Sequence, residues 1–266
     1  MSQKKVGALD KNIVDAVESF MLKITVPIFY STADGLTDLI GTGTFFQIEE
    51  RHFLITAAHL FDDIDPADLA VPQYCTGKHQ LRLIGNSKLY LPSKKFVESV
   101  DIAIVEILLP DSINFIMSGW KSLTFDNISS PTAEGHFLLC GFPCERTKKD
   151  AEDFTGEMIS VITTRLVKAP HGAKQPVNYG VDLFFSCDKS AFDHSGRQVS
   201  IPRLQGVSGA SIWEIDKSEN SLVWTPEKSL KVVGIQSSSL HGEFFRAKNW
   251  DYVSQMFGKI DPKLLG

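Results

Sequence analysis

The chain has 266 residues, 43% of them apolar and 22% charged, a balance that supports a packed core and excludes a mainly disordered polymer. Twenty-seven basic against thirty-two acidic side chains give a net charge of −5, and adjacent basic residues occur as the pairs Lys4-Lys5, Lys94-Lys95 and Lys148-Lys149, which excludes the footprint of a nucleic-acid binder. No apolar run is long enough to span a bilayer and the first residues lack the pattern of a secretory signal, so the chain is expected in the cytoplasm, with Cys75, Cys140, Cys144 and Cys187 as thiols.

Leu9, Ile13, Val14, Val17, Phe20 and Met21 recur at helical spacing and predict an amphipathic helix over 9–21. Without a basic face it is expected to brace the body of the protein rather than to bind a membrane. A strand is predicted over 24–30, followed by short apolar or alternating runs at 44–48, 52–56, 80–84 and 101–108 between polar turns. Residues 111–134, with Ser129-Ser130-Pro131, read as an irregular connection. A second set of strands is expected at 136–140, 158–167, 181–186, 210–215 and 231–236. Trp250, Val253, Phe257 and Ile260 step at near-helical intervals and predict a closing helix over 250–261. The expected class is all-β, with a helix at each end.

Three stretches carry chemistry, in the order Thr56-Ala57-Ala58-His59, Val100-Asp101-Ile102-Ala103 and Gly206-Val207-Ser208-Gly209. Acyl transfer from a serine needs a hydroxyl nucleophile, an imidazole to take its proton, and a carboxylate to fix the imidazole's tautomer. Singly, each stretch has an ordinary reading: a structural histidine, an aspartate opening a strand, a small-residue turn. Their conjunction, in one order and each at the end of a strand-like run, points to Ser208 as nucleophile, His59 as general base and then acid, and Asp101 as the group that orients it. Ser211 is a rival serine, and Asp62 and Asp63 are rival carboxylates. His136, Cys140 and Cys144 have a His-x₃-Cys-x₃-Cys spacing, but a strand running into Gly141-Phe142-Pro143 splays such side chains and supplies no fourth ligand, so no metal or cofactor is expected.

The residues around these three resemble the trypsin-like serine protease family. Gly41-Thr42-Gly43-Thr44-Phe45-Phe46 looks like its small-residue strand, Phe53 to His59 its histidine strand, and Asp101-Ile102-Ala103-Ile104-Val105 its aspartate strand. Cys140-Gly141-Phe142-Pro143 resembles a strand-ending turn of its second barrel, and Val232-Val233-Gly234-Ile235 the strand lining its cleft. The resemblance implies two six-stranded antiparallel β-barrels of chymotrypsin type in a protease domain over 24–266, preceded by the helical brace of 1–23. The first barrel would span about 24–110, the linker about 111–134, the second barrel about 135–249 and the closing helix about 250–261. It also implies an oxyanion hole from the N–H groups of Gly206 and Ser208, and a substrate-binding wall at Pro202 and Gln205, with Ser237 and Ser238 beside it. Ser237 stands where the family often has a serine that supports the triad carboxylate.

Two departures matter. Val207 stands where trypsins have an aspartate that pairs with a newly cleaved N-terminus, so activation by N-terminal cleavage is not expected. Ala210-Ser211 replaces the common Gly-Pro. No acid lies among Pro202, Arg203, Leu204 and Gln205, so a preference for Lys or Arg is not supported. The expected activity is that of a cytoplasmic, bacterial-type serine endopeptidase acting on protein or peptide, with neither nucleic acid nor membrane as partner and its oligomeric state open. The alternative is an idle protease-like binding module.

Overall fold

The structure, a computed structural model, describes residues 11–31, 37–73, 79–93, 96–150, 153–193, 197–215 and 224–265. Leu9, Cys75 and the pairs Lys4-Lys5 and Lys94-Lys95 lie outside the described residues. In chain order the first half comprises α1 (Lys11–Leu22), β1 (Val26–Ser31), β2 (Thr37–Ile48), β3 (Arg51–Thr56), β4 (Leu69–Pro72), β5 (His79–Leu83), β6 (Ser87–Tyr90), the short α2 (Val97–Val100) and β7 (Ala103–Ile107). A helix, α3 (Pro110–Gly119), leads to the second half. That half comprises β8 (His136–Gly141), β9 (Thr147–Asp150), β10 (Asp153–Gly156), β11 (Ile159–Leu166), β12 (Asp182–Ser186), β13 (Ser190–Phe192), β14 (Gln198–Ser200), β15 (Ser211–Ile215), the short α4 (Pro226–Ser229), β16 (Leu230–Leu240), β17 (Phe244–Asn249) and α5 (Asp251–Ile260). Among the described residues no helix is long and apolar enough to cross a membrane.

The second half closes into a six-stranded barrel, β11-β12-β17-β16-β15-β8. The first half does not close. Its strands lie in a nine-stranded sheet of order β6-β7-β3-β2-β1-β4-β5-β10-β9. The expected pair of six-stranded barrels is therefore corrected to one closed barrel and one open, half-barrel sheet. The reason lies at one edge: β5 pairs with β10, a hairpin strand contributed by the second half, instead of returning to β6. The arrangement remains mostly β with few helices and is consistent with a chymotrypsin-like two-barrel fold.

Three apolar cores explain which runs became strands. Leu54, Phe45, Val105 and Ala103 fill the first half's interior, while Phe137, Leu183, Phe245 and Ala247 fill the second barrel. The third core lies between the halves and joins Phe46, Phe53, Ile55 and Ile104 to Leu138, Trp213, Val232 and Ile235. β3 and β7 face two of these cores at once, which is why they read as continuous apolar runs rather than alternating ones. β11 covers one core and alternates buried with exposed. Phe20 of α1 meets Trp213 edge-on at 6.0 Å, and Trp250 and Phe257 at the C-terminal helix join the same cluster.

The connection over 111–134 is not irregular throughout. Pro110 in the first turn, Asp111 beside it and Ile116 buried on the inner face give α3 a start and a stripe to pack. The sequence reading also passed over β4, β6, β9, β10, β13, β14 and β17, most of them three to five residues long. β17 escaped for another reason: Phe245 and Ala247 point inward, but Arg246 and Lys248 stand between and beside them, and two cations in one strand read as surface.

Candidate active site

His59 sits just past the end of β3, where the chain enters a single 3-10 turn over Ala58–Phe61. Ala58, Leu60 and Phe61 are buried, so the turn is anchored by its neighbours while the His59 side chain stays 42% exposed. Asp101 lies between α2 and β7 with φ +42, a left-handed conformation that aspartate tolerates better than most residues. That turn aims its carboxylate at the histidine. His59 Nδ1 lies 3.0 Å from both carboxylate oxygens, and the His59 N–H donates to Oδ1 at 3.0 Å. A carboxylate only accepts, so the bonds fix Nδ1 as the protonated nitrogen and leave Nε2 with its lone pair free in the neutral ring. The hydrogen bond to Asp101 raises the His59 pKa above its ordinary value against the opposing effect of burial; the charges of Asp101 and Asp62 add to the rise and Lys174 works against it.

The turn that carries Ser208 is held by an alternation of used and unused amides. Val207 N–H donates to the Leu204 carbonyl at 3.0 Å, Gly209 N–H to Gln236 at 2.8 Å and Ala210 N–H to Val207 at 3.0 Å. Among the described hydrogen bonds, the N–H groups of Gly206 and Ser208 donate to no protein acceptor. Two turn positions require glycine. Gly206 has φ +91, and a Cβ there would stand 2.7 Å from the Phe142 carbonyl; Gly209 has φ +89, and a Cβ there would strike the Thr56 hydroxyl and come within 2.8 Å of Ala57 N. Val207 is fully buried and its methyls fill the space that a side chain on Gly141 would take.

Two threonines of the first half dock this turn beside the histidine loop. Thr42 N–H donates to the Ser208 carbonyl at 2.8 Å, the Thr42 hydroxyl donates to the Gly206 carbonyl at 2.8 Å, and the Thr42 carbonyl accepts from the Thr56 hydroxyl at 2.8 Å. Thr56 is three residues before His59. In the sequence Thr42 belongs to a small-residue strand and Thr56 opens the histidine stretch, with no docking role assigned to either; the signal for Thr42 is a hydrogen-bonding side chain between glycines 41 and 43. The Ser208 side chain is half-buried, and among the described hydrogen bonds its hydroxyl takes part in none.

The remaining candidates fall as follows. Ser211 is buried and its hydroxyl shares a 2.8 Å hydrogen bond with that of Thr44, which removes it from the cleft. Asp62 and Asp63 are exposed, and neither hydrogen-bonds His59 among the described residues. Pro202 is half-buried and Gln205 exposed, the latter's carbonyl accepting from Cys144 N–H at 2.8 Å. Ser238 is exposed on β16, opposite Arg246. The expected contact of Ser237 with the Asp101 carboxylate does not occur among the described residues: its buried hydroxyl donates to the Arg246 carbonyl at 3.3 Å, because β17 lies against it. Cys140 lies 3.4 Å from the Ser160 hydroxyl, its thiol pushed up to about 12 by burial, while Cys144 donates to the Leu39 carbonyl at 3.7 Å. No group of three metal-ligating side chains comes together among the described residues. Cys140, Cys144 and Cys187 are unbridged.

A cluster that the sequence did not suggest lies on β12 and β17. Asp182, with a wholly buried side chain, accepts from Lys248 Nζ at 2.6 Å through one oxygen and from Arg246 and the Asn178 N–H through the other. Lys248 Nζ also donates, at 2.8 Å, to the carbonyl of Ser99, two residues before Asp101.

No protein-family model matches the chain, and no curated protein matches it in sequence. Solved structures do match in shape. One, described as the Rv3671c protease in an inactive form, superposes with a TM-score of 0.50 at 16% identity and covers 97% of this chain and 100% of its own. A second, from work on the coupled folding and binding of the intrinsically disordered Sesbania mosaic virus VPg protein, gives a TM-score of 0.48 at 17% identity over 85% of this chain and 87% of its own. At such identities the likeness to the protease is one of fold.

Proposed function

We propose that the chain is a serine endopeptidase that cleaves protein or peptide through an acyl-enzyme on Ser208. The observation that carries this reading is the His59–Asp101 pair, bonded at 3.0 Å through Nδ1 to both carboxylate oxygens, beside a turn whose Gly206 and Ser208 amides are uncommitted. In the proposed cycle His59 Nε2 takes the Ser208 proton as the hydroxyl oxygen attacks the scissile carbonyl. Asp101 stabilises the imidazolium, and the two amides receive the oxyanion, each worth about 3 kcal/mol in the transition state. The protonated His59 then gives its proton to the leaving amine, and water repeats the sequence to release the acyl group. The substrate wall is assigned to Pro202, Gln205 and the β16 edge at Ser238, and a cytoplasmic setting suits the unbridged thiols.

The test is labelling by a serine-directed fluorophosphonate, which reacts quickly only with an activated hydroxyl beside a formed oxyanion site. The full chain should label with one equivalent, and Ser208→Ala and His59→Ala should not label. A second reading, a protease-like module that binds without cleaving, is favoured by one observation: the Ser208 hydroxyl makes no hydrogen bond among the described residues. Catalytic hydrogen bonds often form only when substrate arrives, so this observation does not remove the first reading. A full chain that fails to label would select the second.

A further inference from the structure

Asp101 must hold one orientation for its carboxylate to fix the histidine, so the left-handed turn that aims it must itself be held in place. Asp101 follows the four-residue α2, in a left-handed backbone conformation, and keeps 16% of its side chain exposed. The restraint comes from the other half of the chain. Lys248, 1% exposed on β17, reaches across to the Ser99 carbonyl at 2.8 Å and so ties the segment that carries Asp101 to the closed barrel. Its charge is also left over. The buried cluster sets two cations, Arg246 and Lys248, against the single anion Asp182, and the Ser99 carbonyl that Lys248 holds lies two residues before Asp101.

Resting on the protease reading, we propose that Lys248 is the positioning residue for Asp101: it clamps the Ser99 carbonyl and supplies the buried positive charge that holds the Asp101 carboxylate against His59. The order of groups is then Arg246, Asp182, Lys248, Asp101, His59, with charges alternating along it. The role that Ser237 was expected to take falls to a lysine on the neighbouring strand, since the Ser237 hydroxyl is committed to the Arg246 carbonyl. Arg246 contributes indirectly: it shares Asp182 and holds the carbonyls of Lys174 and Pro176, which keeps Asp182 aimed at Lys248.

The experiment compares Lys248→Met with the unaltered full chain at a temperature where circular dichroism shows both folded. Fluorophosphonate labelling should slow by at least tenfold, and the midpoint of its pH profile should move down, because His59 loses the well-placed carboxylate that raises it. The other charges acting on His59, Asp62 and Lys174, are unchanged in the variant, as are Asp182 and Arg246 around the site of substitution. Loss of a positive charge alone would move the midpoint up, so an upward shift, or an unaltered labelling rate, overturns the proposal. Should Lys248→Met fail to fold, Asp101→Asn gives the reciprocal measurement, with Lys248 Nζ followed by NMR in lysine-labelled protein. Its resonance should shift and its protons exchange several-fold faster; an unmoved Lys248 signal overturns the proposal. If the unaltered chain does not label at all, the protease reading fails, while the Lys248 response to Asp101→Asn still reports on the coupling.

Discussion

Glu106 in the open sheet and Asp182 in the closed barrel are both acids sunk into a wall of strands, and each half neutralises its acid in its own way. Glu106 is held by Arg51 at 2.7 Å and by the Tyr90 hydroxyl at 2.8 Å, and the Arg51 side chain remains 30% exposed. Burial raises the Glu106 pKa, but the bonds from Arg51 and Tyr90 outweigh it and leave the carboxyl below its ordinary value. Asp182 is also lowered, again against burial, by Arg246, Lys248 and the Asn178 amide, but here both cations are enclosed. Arg51 keeps a path to water, whereas the cations of the Asp182 cluster, on the outer face of the barrel beneath the Lys174, Pro176 and Ser99 carbonyls, must be satisfied by protein groups. The division extends to the candidate site. The hydrogen-bonded pair His59 and Asp101 hangs on loops of the open half, while the turn over 206–209 and the Asp182 cluster belong to the closed one.

The largest effect should come from the closed half's contribution to chemistry. Ser208→Ala is expected to lower peptide hydrolysis by about 10⁶, to the level at which a disabled triad leaves only binding and the oxyanion site. Its melting temperature should stay within a degree or two of the parent's. Asp101→Asn, in the open half, should cost about 10⁴ in turnover by favouring the wrong imidazole tautomer. A loss in kcat from Ser208→Ala well beyond that from Asp101→Asn would sharpen the division; a fully active Asp101→Asn would break it.

The contrast between the acids gives a stability test. Asp182→Ala leaves two enclosed cations without their anion and should destabilise by about 3–5 kcal/mol in urea unfolding. Glu106→Ala frees an arginine that can turn to solvent and should cost nearer ~1–3 kcal/mol. A larger loss at Glu106 than at Asp182 would show that enclosure of the cations is not what sets the demand for pairing.

pH separates the histidine from the two buried acids by sign. His59 is raised by Asp101, so the labelling rate should climb with pH through a midpoint above about 6.5. In Asp101→Asn the midpoint should fall. The same shift means that protonated His59 adds stability below its unfolded value, and that this is lost as pH rises through the folded one. Asp182 and Glu106 act in the opposite direction: their lowered values add stability above the ordinary carboxylate range, and it is lost as pH falls through the folded values. Melting temperatures between pH 3 and 9 of the two alanine variants would check the signs.

The smallest effect expected is none. Val207 is uncharged, fully buried and packed at Gly141, so the turn that carries Ser208 has no ion pair at this position to wait for. The chain beginning at Met1, with or without a tag, should label at the same rate; reactivity that appears only after cleavage near Ile24 would overturn this. Phe20 and Met21 lie in the core between the halves, so loss of α1 should cost stability before it alters the site.

The sequence by itself determined the ordered trio His59, Asp101 and Ser208, because each stands beside residues with strict local demands: buried alanines at 57 and 58, a strand start after 101, glycines at 206 and 209. It also determined the terminal helices and the strands whose apolar runs are unbroken, since periodicity and turn chemistry are local. Only the tertiary structure decided what crosses between the halves. The open edge depends on β5 taking β10 as its neighbour, and Thr42 matters through the Ser208 and Gly206 carbonyls that fold back onto it. Ser237 is committed to the Arg246 carbonyl and Lys248 to Asp182 and Ser99 because β17, a strand the sequence pattern does not show, lies beside β16 and beneath the Ser99 segment. A buried charge is legible only from its partners, and those partners lie 66 and 149 residues away in the chain.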